Sequence, residues 1–237
     1  MVNWFWQRRT RKEAPKLRSR SADIGRKVDL AELTPGLLHF LGQSAYLQLA
    51  LFENLSTAVA HAPTPEAKES LSYVASLSLA KHHGLTALIR RQGSQPGAVM
   101  EPFTEGIDAF QRRTAGADWP ETLMTCYLTA GFLDDFFVRL APGLPNEYAT
   151  RVNEVLDGDD AAERLVDLLR VAIEANPRLA SRMAMWGRRL VGDTMLVARS
   201  ALAASANHDR DEERIEPVFT DLIAAHTRRM DNLGLTA

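Results

Sequence analysis

The sequence predicts an all-α protein, and three observations support this fold class. Apolar residues recur at the spacing of amphipathic helices through most of the chain after residue 34. Proline, threonine and glycine stand at the ends of these stretches, where helices typically begin and end. No alternating run of β-branched and aromatic residues is bounded by turns, so no β-strand is expected.

The first two helices are expected to form an antiparallel hairpin. Thr34 is a suitable N-cap, and the first helix is expected over residues 35–62 with proline at its first position. Thr64 begins the second helix in the same way, and this helix is expected over residues 65–92. Gly93 then provides a standard C-terminal stop.

The rest of the chain predicts a crossover, a second pair of helices and two further helices. A short crossover helix is expected over residues 103–114. The second pair of helices is expected from residue 118 to about 141–145 and from 146 to 175, with an interruption at 157–160. The two further helices are expected from 177 to about 206 and from 216 to 233, with a polar loop at 207–214 between them. Two hairpins joined by one long connection form the ferritin-like arrangement of a four-helix bundle.

The composition and the cysteine count exclude several classes of protein. Apolar residues make up 46% of the chain and charged residues 24%, which is ordinary for a globular protein with a hydrophobic core. Cys126 is the single cysteine, so an intrachain disulfide and a cysteine-based zinc site are excluded. No glycine-rich phosphate loop, Gly-x-Ser-x-Gly or His-Glu-x-x-His motif is present.

The location expected from the sequence is the cytoplasm. No stretch approaches the roughly 18 apolar residues that a transmembrane helix needs. The N-terminus also lacks the apolar region of a secretion signal. A cytoplasmic protein of this kind could also bind to the surface of a membrane.

The N-terminus is expected to be a basic tail over residues 1–28, separate from a helical domain at 29–237. Residues 1–27 contain nine basic and two acidic residues, and the total charge of −2 therefore leaves −9 on the remaining 210 residues. Aromatic residues stand beside the first cations: Trp4, Trp6, Arg8, Arg9, Arg11 and Lys12. Such a segment suits RNA bases and phosphates, or an anionic membrane surface, and a solvated tail is the alternative.

A buried polar patch is expected where the first two helices face each other. Gln48 is the polar residue in the apolar seam of the first helix, and Ser78 and His82 lie at nearly the same depth on the second. Di-iron sites in such bundles use glutamates and Glu-x-x-His motifs, but Leu79 stands where His82 would need a glutamate. His82 is therefore expected to be a core histidine bonded to Gln48 or Ser78, with no metal cofactor.

An active metal site is the alternative interpretation of the same residues. His82 and Glu53 would then act as metal ligands, together with acids from residues 134–135 or 157–160. Iron is the cofactor that this alternative requires.

The chain resembles the actinobacterial ferritin-like proteins related to the tRNA methylthio-isopentenyladenosine hydroxylases. The resemblance covers about residues 35–237. It depends on three stretches: "WPETLMTCYLTAGFLDDFFVRLA" (119–141), "RMAMWGRRLVGD" (182–193) and "AHTRRMDNLGL" (225–235). It implies a ferritin-like bundle and, in catalytic relatives, a di-iron centre that activates O₂ to hydroxylate a prenyl side chain on tRNA.

The ligand positions that the resemblance implies are mostly occupied by residues that do not bind metal. They fall at Gln48, at Leu79 and His82, near Ala130, and near Gly158 and Ala161. His82 alone matches the pattern of the catalytic relatives. The resemblance therefore favours a ferritin-like protein whose metal site is degenerate.

Three hypotheses follow from the sequence. The first is a non-catalytic binding or scaffold protein with a degenerate di-iron site. The second is an active oxygenase that hydroxylates a prenylated tRNA base. The third is an RNA-associated or peripheral membrane protein whose bundle serves as a dimerising platform, and a homodimer is the expected oligomer.

Overall fold

The computed structural model describes residues 33–202 and 208–236, and it describes side chains throughout except at 208–214. The predicted basic tail and its boundary with the helical domain lie outside the described residues. The helices are α1 (Leu37–Ala60), α2 (Pro65–Arg91), α3 (Pro96–Met100), α4 (Thr104–Arg113), α5 (Trp119–Leu140), α6 (Asn146–Leu156), α7 (Ala161–Ala175), α8 (Arg178–Ser200) and α9 (His208–Asn232). The described part of the chain contains no β-strand, which confirms the all-α class.

Four helical columns form the bundle, and the fourth column is the interrupted pair α6–α7. α1 packs along α2 and α5, while α7 packs against α2 and α5. The crossover between the hairpins contains α3, a 3₁₀ turn (Glu101–Phe103) and α4, and it packs on α1. α8 covers α5, and α9 contacts both α5 and α8. This is the predicted ferritin-like arrangement with one long crossover and two additional C-terminal helices.

Several predicted helix ends are confirmed by their local hydrogen bonds. The hydroxyl of Thr64 accepts a bond from the main-chain N–H of Ala67 at 3.2 Å, which caps α2. Gly93 follows α2 with a φ of +72°, a conformation that favours glycine. The carboxylate of Asp118 accepts a bond from the N–H of Glu121 at 3.1 Å and caps α5.

Three boundary predictions are wrong, and one of them is the end of α8, which lies at Ser200 rather than at about residue 206. Thr34 does not cap α1, because its hydroxyl donates to the carbonyl of Leu140 at 2.7 Å and Gly36 occupies the N-cap position. Residues 208–214 were expected in a polar loop but form the first turns of α9. Arginine and glutamate are good helix formers, and this propensity outweighs the lack of apolar residues there.

The core consists of two apolar clusters separated along the bundle axis. One cluster contains Phe40 of α1, Leu85 of α2 and Phe136 of α5, while the other contains Leu55 and Leu123 further along α1 and α5. The boundary between the clusters falls at about residues 51–54 of α1, 76–84 of α2 and 129–131 of α5. Polar side chains lie at this boundary on α2, at Ser78 and Lys81, and next to it on α1 and α5, at Gln48 and Asp134.

Candidate functional site

A lysine at the boundary between the two apolar clusters is paired with two aspartates. Nζ of Lys81 on α2 lies 2.7 Å from Oδ2 of Asp134 on α5 and 2.9 Å from Oδ2 of Asp159 in the α6–α7 turn. The three side chains are 12%, 19% and 22% exposed, so water is largely excluded from the ion pairs. A charged group in such surroundings needs close partners, and Lys81 has two.

Gln48 completes this arrangement from the remaining helix of the bundle. Its Nε2 donates to Oδ1 of Asp134 at 2.7 Å, so both oxygens of that carboxylate accept a hydrogen bond. We refer to Gln48, Lys81, Asp134 and Asp159 as the Lys81 cluster. Each of the four helical columns of the bundle contributes one member.

The interruption of the fourth column places Asp159 in the Lys81 cluster. Gly158 has a φ of +87°, which interrupts the helical column in a conformation that a residue with a side chain rarely adopts. Oδ1 of Asp159 accepts a bond from the N–H of Ala161 at 3.0 Å, at the beginning of α7. The same carboxylate therefore orders the start of α7 with one oxygen and binds Lys81 with the other.

The two carboxylates keep Lys81 charged. Burial by itself would lower the pKa of the amine, because a buried ammonium loses its hydration. Asp134 and Asp159 outweigh this effect, and the pKa of Lys81 is raised above its ordinary value of 10.5. Burial also raises the pKa of Asp134, and the ammonium of Lys81 opposes this shift. A neutral, nucleophilic amine is therefore not available at this position near neutral pH.

Two small cavities flank the Lys81 cluster. One, of about 60 Å³, lies inside the bundle and is lined by Ser78, Lys81, Asp134 and Asp159 among others. The other, of about 30 Å³, lies beside Gln48, whose Oε1 is buried and has no hydrogen-bond partner among the described residues. These volumes suit a few water molecules and are too small for a substrate-sized ligand.

The structure places two residues of the predicted polar patch beside the Lys81 cluster and gives the third a different partner from the expected one. Gln48 and Ser78 are buried, and both line cavities beside the cluster. His82 is partly buried, but its Nδ1 bonds the carbonyl of Ala45 at 2.9 Å rather than Gln48 or Ser78. His82 therefore bonds the main chain of α1 rather than the side chain of Gln48, whose Nε2 donates to Asp134.

The residues present do not fit a di-iron centre. Glu53 is exposed on α1, and its charge acts on Tyr46. The residues that the structure describes include no group of three or more histidine, cysteine, aspartate or glutamate side chains placed to hold a metal ion. The two carboxylates that do converge, Asp134 and Asp159, are bound to the ammonium of Lys81.

Asp135, a candidate ligand next to Asp134, points to a different partner. Its Oδ2 lies 2.7 Å from a guanidinium nitrogen of Arg229 on α9, and the same nitrogen donates to the carbonyl of Gly131 at 2.8 Å. The adjacent acids of α5 therefore have separate roles. Asp134 faces the bundle interior, and Asp135 attaches the last helix to the outside.

Cys126 is buried beside the larger internal cavity. Burial raises the pKa of its thiol to about 12, so the reactive thiolate is not formed near neutral pH. The residue is therefore an apolar core component, in agreement with its place on a core seam.

Lys81 is the member of the cluster that the sequence pattern did not predict. It stands one position before His82, and lysine is not among the residue types that bind metal ions in such bundles. The sequence contains one indirect indication of its role. Lys81 lies at about the depth of Gln48, and the acids at 134 and 157–160 are on the opposite hairpin. The long lysine side chain lets a residue beside the seam carry its charge into the interior.

Comparison with known proteins identifies the family. A family model described as a ferritin-like domain of actinomycetes matches residues 32–211, which is more than half of the chain. A search of curated proteins finds no match. In the described ranges, no helix is long and apolar enough to cross a membrane. The chain belongs to the actinomycete ferritin-like domain family.

Proposed function

We propose that this protein is a non-catalytic relative of the tRNA methylthio-isopentenyladenosine hydroxylases and acts as a binding or scaffold protein. In this proposal the ammonium of Lys81 takes the place of the metal ions in the bundle interior. The protein then keeps the ferritin-like architecture while its interior serves stability alone.

One observation carries this proposal: Nζ of Lys81 lies within 2.9 Å of carboxylates from two other columns of the bundle. In catalytic bundles the inward-facing carboxylates bind cationic metals. Here a covalently attached cation neutralises them, and it is always present. A metal ion could reach Asp134 and Asp159 only by displacing Lys81, which would then be a buried charge without a partner.

The active oxygenase remains the second candidate, and the convergence of Asp134 and Asp159 favours it. Both carboxylates approach a single point, as metal ligands do. The proposed ligands His82 and Glu53 do not complete such a site, because Glu53 is exposed and His82 bonds Ala45. We therefore rank this candidate second.

Thermal unfolding in the presence and absence of metal distinguishes the two candidates. A ligand that binds the folded state raises its stability with concentration. We expect the melting temperature of the full chain to be equal in EDTA and in anaerobic ferrous iron. An increase of several degrees with iron that is abolished by His82→Ala would favour the oxygenase.

The partner in this proposal is RNA, contacted through the basic N-terminal segment. Trp4, Trp6 and the adjacent cations provide stacking groups and phosphate contacts. A homodimer in the cytoplasm would present two such segments. The cations also suit an anionic membrane surface, which is the competing partner.

Binding measurements on the full chain and on a chain lacking residues 1–27 test the partner. We expect the full chain to bind a fluorescent tRNA with an affinity that falls steeply as salt is raised, and the shortened chain not to bind. Binding to phosphatidylserine vesicles but not to tRNA would identify the membrane instead. Equal binding by both chains would contradict a role for the segment.

A further inference from the structure

A large cavity lies outside the bundle interior, between α4 and α8. Its volume is about 450 Å³, within the range of small-molecule sites. No member of the Lys81 cluster lines it. Residues from α1, the crossover, α4 and α8 do so, among them Gln43, Phe103, Ile107, Arg113, Leu196 and Ser200. We refer to it as the α4–α8 cavity.

The walls of the α4–α8 cavity are mainly apolar. Ile107 and Val197 are buried and form part of the core beneath it. Leu196 lines the cavity but is 60% exposed, which is unusual for a large apolar side chain with a concave surface beside it. An apolar molecule in the cavity would remove this side chain and that of Phe103 from water.

Gln43 provides a polar group at the cavity. The residue is 3% exposed, and its Nε2 donates to Oγ of Ser200 at 3.2 Å. The hydroxyl of Ser200 in turn donates to the carbonyl of Val197 at 2.7 Å, which fixes the orientation of the amide. Oε1 of Gln43 is left without a hydrogen-bond partner in the described residues, and a hydroxyl or N–H donor would satisfy it.

Arg113 makes one end of the cavity electropositive. Its Nε lies 3.5 Å from Oδ1 of Asp193, and half of its side chain is exposed. Arg112 is the exposed neighbour on α4 and is not part of the cavity lining. Arg113 therefore supplies the cation at this end of the cavity, and this end suits an anion.

We propose that the α4–α8 cavity binds a small amphipathic carboxylic acid that also carries a hydrogen-bond donor. The apolar body packs against Phe103, Ile107 and Leu196. The hydroxyl or N–H donates to Oε1 of Gln43, and the carboxylate pairs with Arg113. This site is separate from the Lys81 cluster, so its occupancy does not depend on whether the bundle binds metal.

A fluorescent dye with the same three features is a suitable probe. 8-Anilinonaphthalene-1-sulfonate has an apolar ring system, an N–H donor and an anionic group. We expect saturable binding to the full chain with one site per protomer. We also expect 12-hydroxydodecanoate to displace the dye at lower concentration than uncharged 1,12-dodecanediol does.

Matched glycine variants test whether the dye occupies this cavity. A Cβ at Gly106 meets no atom within 4 Å and would project from a residue that lines the cavity, so Gly106→Leu fills the space without disturbing the core. Gly192→Leu adds the same side chain on exposed α8, outside the cavity. Both changes raise helix propensity, so both variants should fold.

We expect Gly106→Leu to abolish dye binding and Gly192→Leu to leave it unchanged. Arg113→Gln should weaken dye binding about tenfold through loss of a charge-assisted contact, while Arg112→Gln changes it little. Equal affinity in the two glycine variants would overturn the proposal, because the dye would then bind elsewhere. Absence of saturable binding to the unmodified chain would overturn it as well.

Discussion

Lys81 and Asp134 form an ion pair inside a ferritin-like bundle, with Nζ of the lysine 2.7 Å from Oδ2 of the aspartate. The pair joins α2 to α5 across the region where related bundles bind metal ions. Asp159 extends the pair to the fourth helical column, and Gln48 extends it to α1. The Lys81 cluster therefore links all four columns, three of them directly through the ammonium and α1 through Asp134.

Removal of the ammonium is expected to destabilise the fold strongly. Lys81→Ala leaves the carboxylates of Asp134 and Asp159 without their cation, and breaking a buried pair in this way costs about 3 kcal/mol. Urea unfolding measures the loss, and Lys68→Ala, at an exposed lysine of the same helix, is the control. A loss no larger than that of the control would show that the pair contributes little.

Apolar replacement of both Lys81 and Asp134 distinguishes the loss of their ion pair from the effect of mutating a buried residue in general. Lys81→Met combined with Asp134→Leu removes both charges and retains much of the volume. Such replacements of buried pairs are often neutral or stabilising. We expect the double variant to be more stable than Lys81→Ala, and the reverse order would contradict an electrostatic role for Lys81.

The Lys81 cluster should also give the protein a specific sensitivity to alkali. The pKa of Lys81 is raised above 10.5 in the folded state, so its contribution to stability is fully present below pH 10.5 and is lost as the pH rises through the folded value. We expect the free energy of unfolding to fall more steeply above pH 10.5 in the wild type than in Lys81→Met. Parallel pH profiles would mean that the pKa of Lys81 is not raised.

A glycine pair tests the packing of the crossover on the bundle. A Cβ at Gly42 of α1 would overlap the main-chain oxygen of Val99 and the ring of Phe103. Gly42→Ala should therefore destabilise the protein by about 2 kcal/mol despite its better helix propensity. Gly192→Ala, on an open face of α8, should stabilise it by up to about 1 kcal/mol. Thermal unfolding of the two variants should give shifts of opposite sign, and a shift of the same sign would contradict the close approach at Gly42.

The fold was predictable wherever local signals determine it. Thr64, Gly93 and Asp118 act at helix ends through bonds to residues nearby in sequence, and each was predicted from its residue type. The interruption at 157–160 was predicted because Gly158 stands among aspartates. Thr34 was misassigned because its partner, Leu140, is distant in sequence and competes with the local cap.

The site was less predictable because its members come together through tertiary contacts. Gln48 and His82 could be predicted to lie close together because they stand at nearly the same depth along the first hairpin. The sequence also places acids on the second hairpin. The pairing of Lys81 with Asp134 and Asp159 depends on rotations of α2 and α5 that a seam pattern does not specify. The rotation of α5 also decides which of its adjacent acids faces the interior. Asp134 faces Lys81, and Asp135 faces Arg229 of α9.

Metal stoichiometry is the most direct test of the central claim that Lys81 takes the place of a metal centre. The full chain would be purified without chelators and its iron, manganese and zinc contents measured, and the measurement repeated after anaerobic loading with ferrous iron. The account predicts no stoichiometric metal before or after loading. Close to two irons per chain would contradict it and make hydroxylation of a prenylated tRNA base the next assay.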